Sequence, residues 1–507
     1  MTTATATPPA AASSRSTATL IARVDDGAEL KRGALINTIA LLASNFRGIF
    51  TFLIARLLGP AALGTYLVAW AAIEVLSKIG LFGLDNAMVA FIARAEATGN
   101  RARSYALFRL AVVLALAQSL VIALAFFAAL HLFGARFGLD RQLVSALSFM
   151  VCALPGLAAY YIATSVSRGM KVMRHDIFSR GLTQSTVTAT VFLIALAVGA
   201  QAFAPAFAAV AGATASGLVG LVLAWSLFRS APMPPAGFAP RVEAGRLLAY
   251  AANIGAYDVL NALIVRMDVI MLACFIGRAP GVTLPVVGIY GAVVEVAAGL
   301  CKVNQAFNPI LAPVVAGLTV HGEQERAAAA FSRVAQWMLW ILLPLLAVIT
   351  FAGGTILTIF GPAFREGSTW LIVVALACGT NALATLAETV IMVQRPRLNL
   401  VNSSIVCVVA LLANFFLILN WGVMGAAFGI LLPYVLLGIL RDRALRSVFR
   451  WRNPWVNTSA PFVAAIVAFV PALACRALIS GVSGGIASSV VFLAVYFVAW
   501  RRHRRTA

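Results

Sequence analysis

The sequence predicts an all-α polytopic membrane protein of about 14 transmembrane helices, built as two six-helix bundles with an internal repeat plus a C-terminal helix pair. Three observations predict it. First, the 507 residues are 62% hydrophobic and 11% charged, with a mean hydropathy of +0.95, which no water-soluble domain sustains. Second, the stretch Ile54-Ala-Arg-Leu-Leu-Gly-Pro-Ala-Ala-Leu-Gly-Thr-Tyr66 has an echo in Cys274-Phe-Ile-Gly277 followed, after a short insertion, by Val287-Gly-Ile-Tyr290. In both places a long apolar segment ends at glycine (Gly59, Gly277), and a Gly-x-Tyr (Gly64 and Tyr66; Gly288 and Tyr290) opens the next. Third, with the N-terminus taken as cytoplasmic, about 27 of the 38 basic residues fall on the inner side and about 6 on the outer side, as the positive-inside rule asks of an even number of spans.

The elements follow in order. Residues 1–32, rich in Ala, Thr, Ser and Pro, read as a disordered cytoplasmic tail. Six apolar spans follow at 33–58, 62–84, 105–133, 143–166, 181–199 and 205–228, giving an N-terminal lobe over 33–228. Residues 229–246 hold Pro232, Pro234, Pro235, Gly237 and Pro240 and read as a cytoplasmic linker. A C-terminal lobe over 247–447 carries spans at 249–276, 287–311, 331–360, 369–392, 400–419 and 423–440. The extra pair over 458–500 has spans at 460–479 and 486–500, the last being the shortest. Pro155, Pro344 and Pro433 lie inside spans and predict kinks. The basic segments 94–109 and 168–180 read as inner loops.

Composition also excludes. The net charge of +21 is a topology signal and an attraction to anionic membrane lipid, so no nucleic-acid partner is expected. The 6 cysteines sit in or beside apolar spans without a C-x-x-C pair, and the 4 histidines show no metal-ligand spacing. No Walker A sequence, Ser-His-Asp arrangement or H-E-x-x-H is present, so neither an enzyme nor a cofactor is expected. A membrane glycosyltransferase would need large outer loops with catalytic acids, and the outer loops here are short.

Charges placed inside spans are costly and mark the candidate site. The basic ones are Arg47, Lys78, Arg109, Arg266 and Lys302; the acidic ones are Glu74, Asp258, Asp268, Glu295 and Glu388. At about 100° per residue, Asn37, Ser44, Arg47 and Thr51 share one helix face. Asp258, Asn261 and Asp268 share another, with Arg266 on its shoulder, and Asn381, Thr385 and Glu388 form a third. A plainer reading stands beside each. Glu74 and Lys78, four apart, are spaced to pair within their helix. Arg109 and Lys78 are placed to snorkel, Asp268 to pair with Arg266, and Glu388 to cap a kink. Arg47 sits mid-span with no acid in its own helix, which favours a functional role.

The run Ala55-Arg-Leu-Leu-Gly-Pro-x-x-Leu-Gly-x-Tyr66 resembles the opening of the polysaccharide-biosynthesis branch of the multidrug/oligosaccharidyl-lipid/polysaccharide exporter superfamily, the O-antigen-type flippases. Ile79-Gly-Leu-Phe-Gly-Leu84, Arg266-Met-Asp-Val-Ile-Met-Leu272 and Gly288-Ile-Tyr290 are similar to later segments of that branch. The resemblance implies two six-helix bundles around a central cavity, working by alternating access. It implies undecaprenyl-pyrophosphate-linked oligosaccharide as substrate, moved across a bacterial inner membrane with both chain termini cytoplasmic. An anionic lipid-linked substrate would be read by Arg47, Arg266 and Lys302, and its sugars by Asn37, Ser44, Asn261, Asn304 and Gln305. Glu74, Asp258, Asp268, Glu295 and Glu388 would couple transport to an ion. A polysaccharide polymerase and chain-length machinery are the implied protein partners. Two alternatives share the superfamily. A lipid II flippase has the same helix number and uses its extra pair as a groove for the lipid tail. A cation-coupled drug exporter should have an acidic cavity, which the central basic residues argue against.

Overall fold

The computed structural model describes residues 46–134, 136, 140–229, 239–320, 322–447, 449–451 and 454–506. The described residues are mostly helical, with no strand among them. The helices are α1 (Phe46–Leu81), α2 (Leu84–Ala97), α3 (Arg101–Phe133), α4 (Arg141–Met150) and α5 (Ala153–Gly169). A π-helical segment, Ile177–Gln184, leads into α6 (Ser185–Ala197), and α7 (Ala204–Ser226) ends the first half. The second half holds α8 (Pro240–Cys274), α9 (Leu284–Cys301), α10 (Val303–Val320), α11 (Gln324–Leu357), α12 (Ser368–Gln394) and α13 (Pro396–Ser447). The last two helices are α14 (Ser459–Leu478) and α15 (Gly481–Thr506).

Ten described helices are long and apolar enough to cross a bilayer. Two of them are hairpins. A straight 52-residue α13 would be about 78 Å long, far beyond the ~30 Å hydrocarbon core. It folds back at Gly422 (φ 56°, ψ −129°), so that Asn414 Nδ2 donates to the Gly429 carbonyl at 3.1 Å. α1 reverses likewise at Gly59-Pro60, which brings the rings of Phe50 and Tyr66 to 5.3 Å. Pro60 has no N–H to continue the first arm, and its fixed φ suits the first turn of the second. Gly59 itself, at φ 81° and ψ −177°, occupies a region open essentially only to glycine. Open space surrounds its missing Cβ, so the constraint is conformational. Gly59→Ala is expected to lower stability by about 1–3 kcal/mol in a denaturant titration of the detergent-solubilised protein.

The expected spans 181–199 and 249–276 are also helical. However, α6 has only 13 residues, and neither is among the ten. The expected linker is shorter than its proline content suggested: residues 240–246 form the first turns of α8, and Glu243 there accepts from Arg103 (3.0 Å) and Arg246 (3.3 Å). The span expected at 287–311 is interrupted at Lys302 and continues as α10. Of the three expected proline kinks, the chain breaks only at Val151-Cys152, just ahead of Pro155; Pro344 and Pro433 lie within α11 and α13 without interrupting them.

The outer surface explains why this chain needs a membrane. Val113, Val121, Val222, Ile466 and Val470 are more than half exposed on α3, α7 and α14, and water would not tolerate such faces. The main core draws on both halves of the sequence. It includes Phe50, Tyr66 and Phe192 from the first, and Tyr290, Leu371 and Ile430 from the second. The second arm of α1 lies along α9 because glycine meets glycine there. A Cβ on Gly288 would stand 1.9 Å from the Pro60 carbonyl oxygen, and one on Gly64 would stand 2.4 Å from that of Leu284. At the opposite end of α1 a second such contact forms. A Cβ on Gly255 would stand 2.3 Å from the Phe82 carbonyl oxygen, and one on Gly83 would stand 2.5 Å from that of Ala251. The two halves therefore meet backbone to backbone at both ends of α1's second arm.

Candidate functional site

Between these two glycine contacts, α8 is the hub of a set of buried and half-buried polar side chains. Arg266 Nε donates to Glu74 Oε2 at 2.5 Å, joining α8 to α1, and Trp70 Nε1 holds the other carboxylate oxygen at 2.9 Å. Lower on α8, Asn86 Nδ2 of α2 donates to Asp258 Oδ2 at 2.8 Å, beside the Gly83–Gly255 contact. Asp268, 1% exposed, accepts from Tyr290 of α9 at 2.8 Å. Tyr257 donates to Glu388 of α12, whose second oxygen pairs with Arg441 Nη2 at 2.8 Å. One helix thus ties together α1, α2, α9 and α12 through side chains spaced along it. In a low-dielectric surrounding such charge-assisted bonds are strong only while both partners are present.

Several pairings differ from those the sequence suggested. Glu74 does not pair with Lys78 four residues on; it reaches across to Arg266. Lys78 instead pairs with Asp85 at 3.3 Å, beyond the helix break at Phe82-Gly83, and lies over the Tyr161 ring at 5.0 Å. Asp268 bonds Tyr290, since Arg266 is engaged by Glu74. Glu388 caps no kink: it is the counter-ion of Arg441, which lies just past the expected span 423–440 and is 1% exposed. Arg180, expected in a loop, lies in the π-helical segment with its guanidinium 6.0 Å from the Tyr160 ring.

The remaining candidates divide as follows. Asn261 is exposed on α8, and Glu295 is half-buried on α9. Lys302 and Gln305 are exposed at the α9–α10 break, with Asn304 buried between them. Asn37 and Ser44 lie outside the described residues; Arg47 is helical in α1, and its side chain is outside the description. The sequence reading missed Asn86, Tyr257, Tyr290, Arg180 and Arg441. A usable signal existed for one relation: the offset relating Gly64 to Gly288 and Tyr66 to Tyr290 also relates Lys78 to Lys302.

Away from the hub, α11 and α15 enclose an apolar groove of about 1020 Å³ lined by Trp337, Trp340, Pro344, Leu493, Phe497 and Trp500. At its mouth Gln336 and His503 are hydrogen-bonded at 3.1 Å, next to Arg504.

A multidrug resistance transporter of the MATE family in an inward-facing conformation superposes with a TM-score of 0.67 at 13% identity, covering 80% of this chain and 94% of that one. The lipid II flippase MurJ in an inward closed conformation gives a TM-score of 0.67 at 10% identity, covering 93% of this chain and 99% of that one. A point mutant of the Vibrio cholerae MATE transporter VcmN gives a TM-score of 0.55 at 16% identity over 82% of this chain and the whole of that one (100%). At these identities the likeness is one of fold. A search of curated protein sequences returned no match. A profile of the family described as polysaccharide biosynthesis protein matches residues 30–315, a stretch that includes α1 to α9 and with them the Glu74–Arg266 and Asn86–Asp258 contacts. This chain is a multi-pass membrane protein that belongs to the polysaccharide biosynthesis protein family and has the fold of the multidrug/oligosaccharidyl-lipid/polysaccharide exporter superfamily.

Proposed function

We propose that this protein carries an undecaprenyl-pyrophosphate-linked oligosaccharide, the repeat unit of a surface or exported polysaccharide, across the bacterial inner membrane by ion-coupled alternating access. The observation that carries this reading is the family match over α1 to α9, which hold the Glu74–Arg266, Asn86–Asp258 and Asp268–Tyr290 contacts. In this reading residues 33–228 and 247–447 rock against each other, with Glu74–Arg266 and Asn86–Asp258 as the bonds made and broken between them. Glu74, released from Arg266, and Asp258, released from Asn86, would take up a proton or metal cation in their place, which is the physical basis for coupling. Arg47, Arg266 and Lys302 would receive the pyrophosphate, and the apolar groove between α11 and α15 would take the polyprenyl tail.

The test uses purified protein in vesicles with a fluorescent undecaprenyl-pyrophosphate oligosaccharide, following its rate of crossing with and without an ion gradient. Crossing should require the protein, and Arg47→Ala should reduce it at least about tenfold while leaving the protein folded. Crossing at the wild-type rate in Arg47→Ala would refute that residue's role. A second reading, lipid II as substrate, is favoured by the extent of the match to MurJ, 93% of this chain. Lipid II in the same vesicles separates the two.

A further inference from the structure

A second crevice, of about 560 Å³, runs between α11, α12 and α13, and none of the roles above uses it. It is separate from the Trp-lined groove. At about 100° per residue, Trp337, Ile341 and Pro344 of α11 face that groove, while Leu339, Leu342 and Leu346 face the crevice from the opposite side of the same helix. Its lining follows α12 from Leu376 to Ala387, about 16 Å of helix. Val435 and Ile439 of α13 and Phe462 of α14, each more than a third exposed, open it sideways onto the surrounding membrane.

Charge stands at one end only. The deep end is apolar, with Leu346 against Gly379. Asp442, Arg443 and Trp455 line the mouth, level with the Glu388–Arg441 pair. The acids there are taken. Asp442 Oδ1 accepts from Trp455 Nε1 at 2.7 Å and Oδ2 from Arg446 Nε at 2.8 Å, and Glu388 is held by Arg441. Arg443 is exposed and makes no ion pair among the described residues. The complementary molecule has one hydrocarbon chain for an apolar crevice that water fills poorly, and one anionic group for Arg443. A polyprenyl chain is several times longer than the crevice is deep, whereas an acyl chain matches it.

We propose that this crevice seats a resident anionic phospholipid of the phosphatidylglycerol class, with one acyl chain between α11, α12 and α13 and its phosphate on Arg443. Arg443 offers a planar fork to two phosphate oxygens, and Trp455 sets its ring at headgroup level. Arg446, Arg450 and Arg452 add attraction for an anionic surface. Trp455 and Phe462 flank the entry to α14, so the lipid would join the extra helix pair to the second half. The site is independent of what the protein transports.

The experiment uses the full chain in detergent with a phosphatidylglycerol that carries a photoreactive diazirine on its acyl chain. Crosslinks are mapped by peptide mass spectrometry, and unlabelled lipids compete for them. In wild type the crosslinks should concentrate in 376–387 and 435–443, and phosphatidylglycerol should compete better than phosphatidylethanolamine with the same chains. Arg443→Ala should weaken competition by phosphatidylglycerol about fivefold and leave that by phosphatidylethanolamine unchanged. Arg443→Lys, which keeps the charge, should restore most of the preference. Gly438→Leu tests the chain. A Cβ there meets nothing nearer than Ala384 Cβ at 4.0 Å, so leucine fills the crevice without a backbone clash, and crosslinking in both segments should be lost. Crosslinks spread evenly over the outer faces of α3 and α7 would mean annular lipid only and overturn the site. Unchanged competition in Arg443→Ala, or unchanged crosslinking in Gly438→Leu, does the same. Undecaprenyl phosphate competing better than phosphatidylglycerol would overturn the phospholipid as occupant.

Discussion

Arg441→Leu should cost this protein about 3–5 kcal/mol of stability, the largest loss expected from any single charge removal here. Arg441 is among the largest fully buried side chains of the molecule, at 1% exposure, and Glu388 Oε2 at 2.8 Å is its counter-ion. Removing the guanidinium leaves a half-buried carboxylate that, among the described residues, keeps the Tyr257 hydroxyl as its side-chain partner. The bonds at this point tie three helices: α8 through Tyr257, α12 through Glu388 and α13 through Arg441. Losing one partner therefore loosens all three.

The pair is nonetheless no simple source of stability. Among the described residues, Arg441 Nε and Nη1 find no acceptor, so part of the guanidinium's desolvation goes uncompensated. Arg441→Leu combined with Glu388→Gln should recover most of the loss, because the side-chain amide oxygen of that variant still accepts from Tyr257 and no charge is left unpaired. Denaturant titration of the wild type, the two single variants and the double variant in detergent closes the double-mutant cycle. A double variant no more stable than Arg441→Leu would show that the pair stabilises in its own right. A stable double variant that no longer transports would instead give Glu388 and Arg441 a role in the cycle of movement.

These two residues also show how far the sequence could be read. Arg441 opens a run of five basic residues ending at Arg452, and such a run signals a loop outside the bilayer. Its first member is buried because an acid on another helix, Glu388, stands opposite it, and sequence spacing carries no information about that meeting. The apolar spans and the turns at Gly59 and Gly422 were legible because they depend on local chemistry: length, hydropathy and backbone conformation. Charge partners were misread for one physical reason. Helix periodicity names the neighbours at i+4, but in an apolar surround an ion pairs with the best-placed opposite charge, and for Glu74 that was Arg266 on another helix. Lys78 found Asp85 only because the chain breaks at Phe82-Gly83 and returns that carboxylate to it. The repeated glycines were visible as helix boundaries, but that Gly64 and Gly288 would touch each other was not.

That last contact carries the other large effect. Gly288→Ala should force the α1–α9 contact open, because its Cβ would land 1.9 Å from the Pro60 carbonyl oxygen and 2.8 Å from the Gly64 nitrogen. Both obstacles are backbone, so no rotamer relieves them; the helices must separate. Gly255→Ala does the same at the other end, where the Cβ would stand 2.3 Å from the Phe82 carbonyl oxygen. The reciprocal design separates a gate from mere damage. In a background without native cysteines, Leu63→Cys and Ala251→Cys, at positions 0% and 1% exposed, report the two ends through a membrane-impermeant thiol reagent. Overpacking of this kind costs about 1–3 kcal/mol, which shifts an open–closed equilibrium by roughly fivefold to more than a hundredfold. Gly288→Ala should raise labelling at position 63 by such a factor and leave position 251 protected. Gly255→Ala should do the reverse. Labelling that rises at both positions in either variant would mean that the bundle loosens as a whole. Labelling confined to the wedged end would mean that the two halves part at one end while staying closed at the other, which is the motion that alternating access requires.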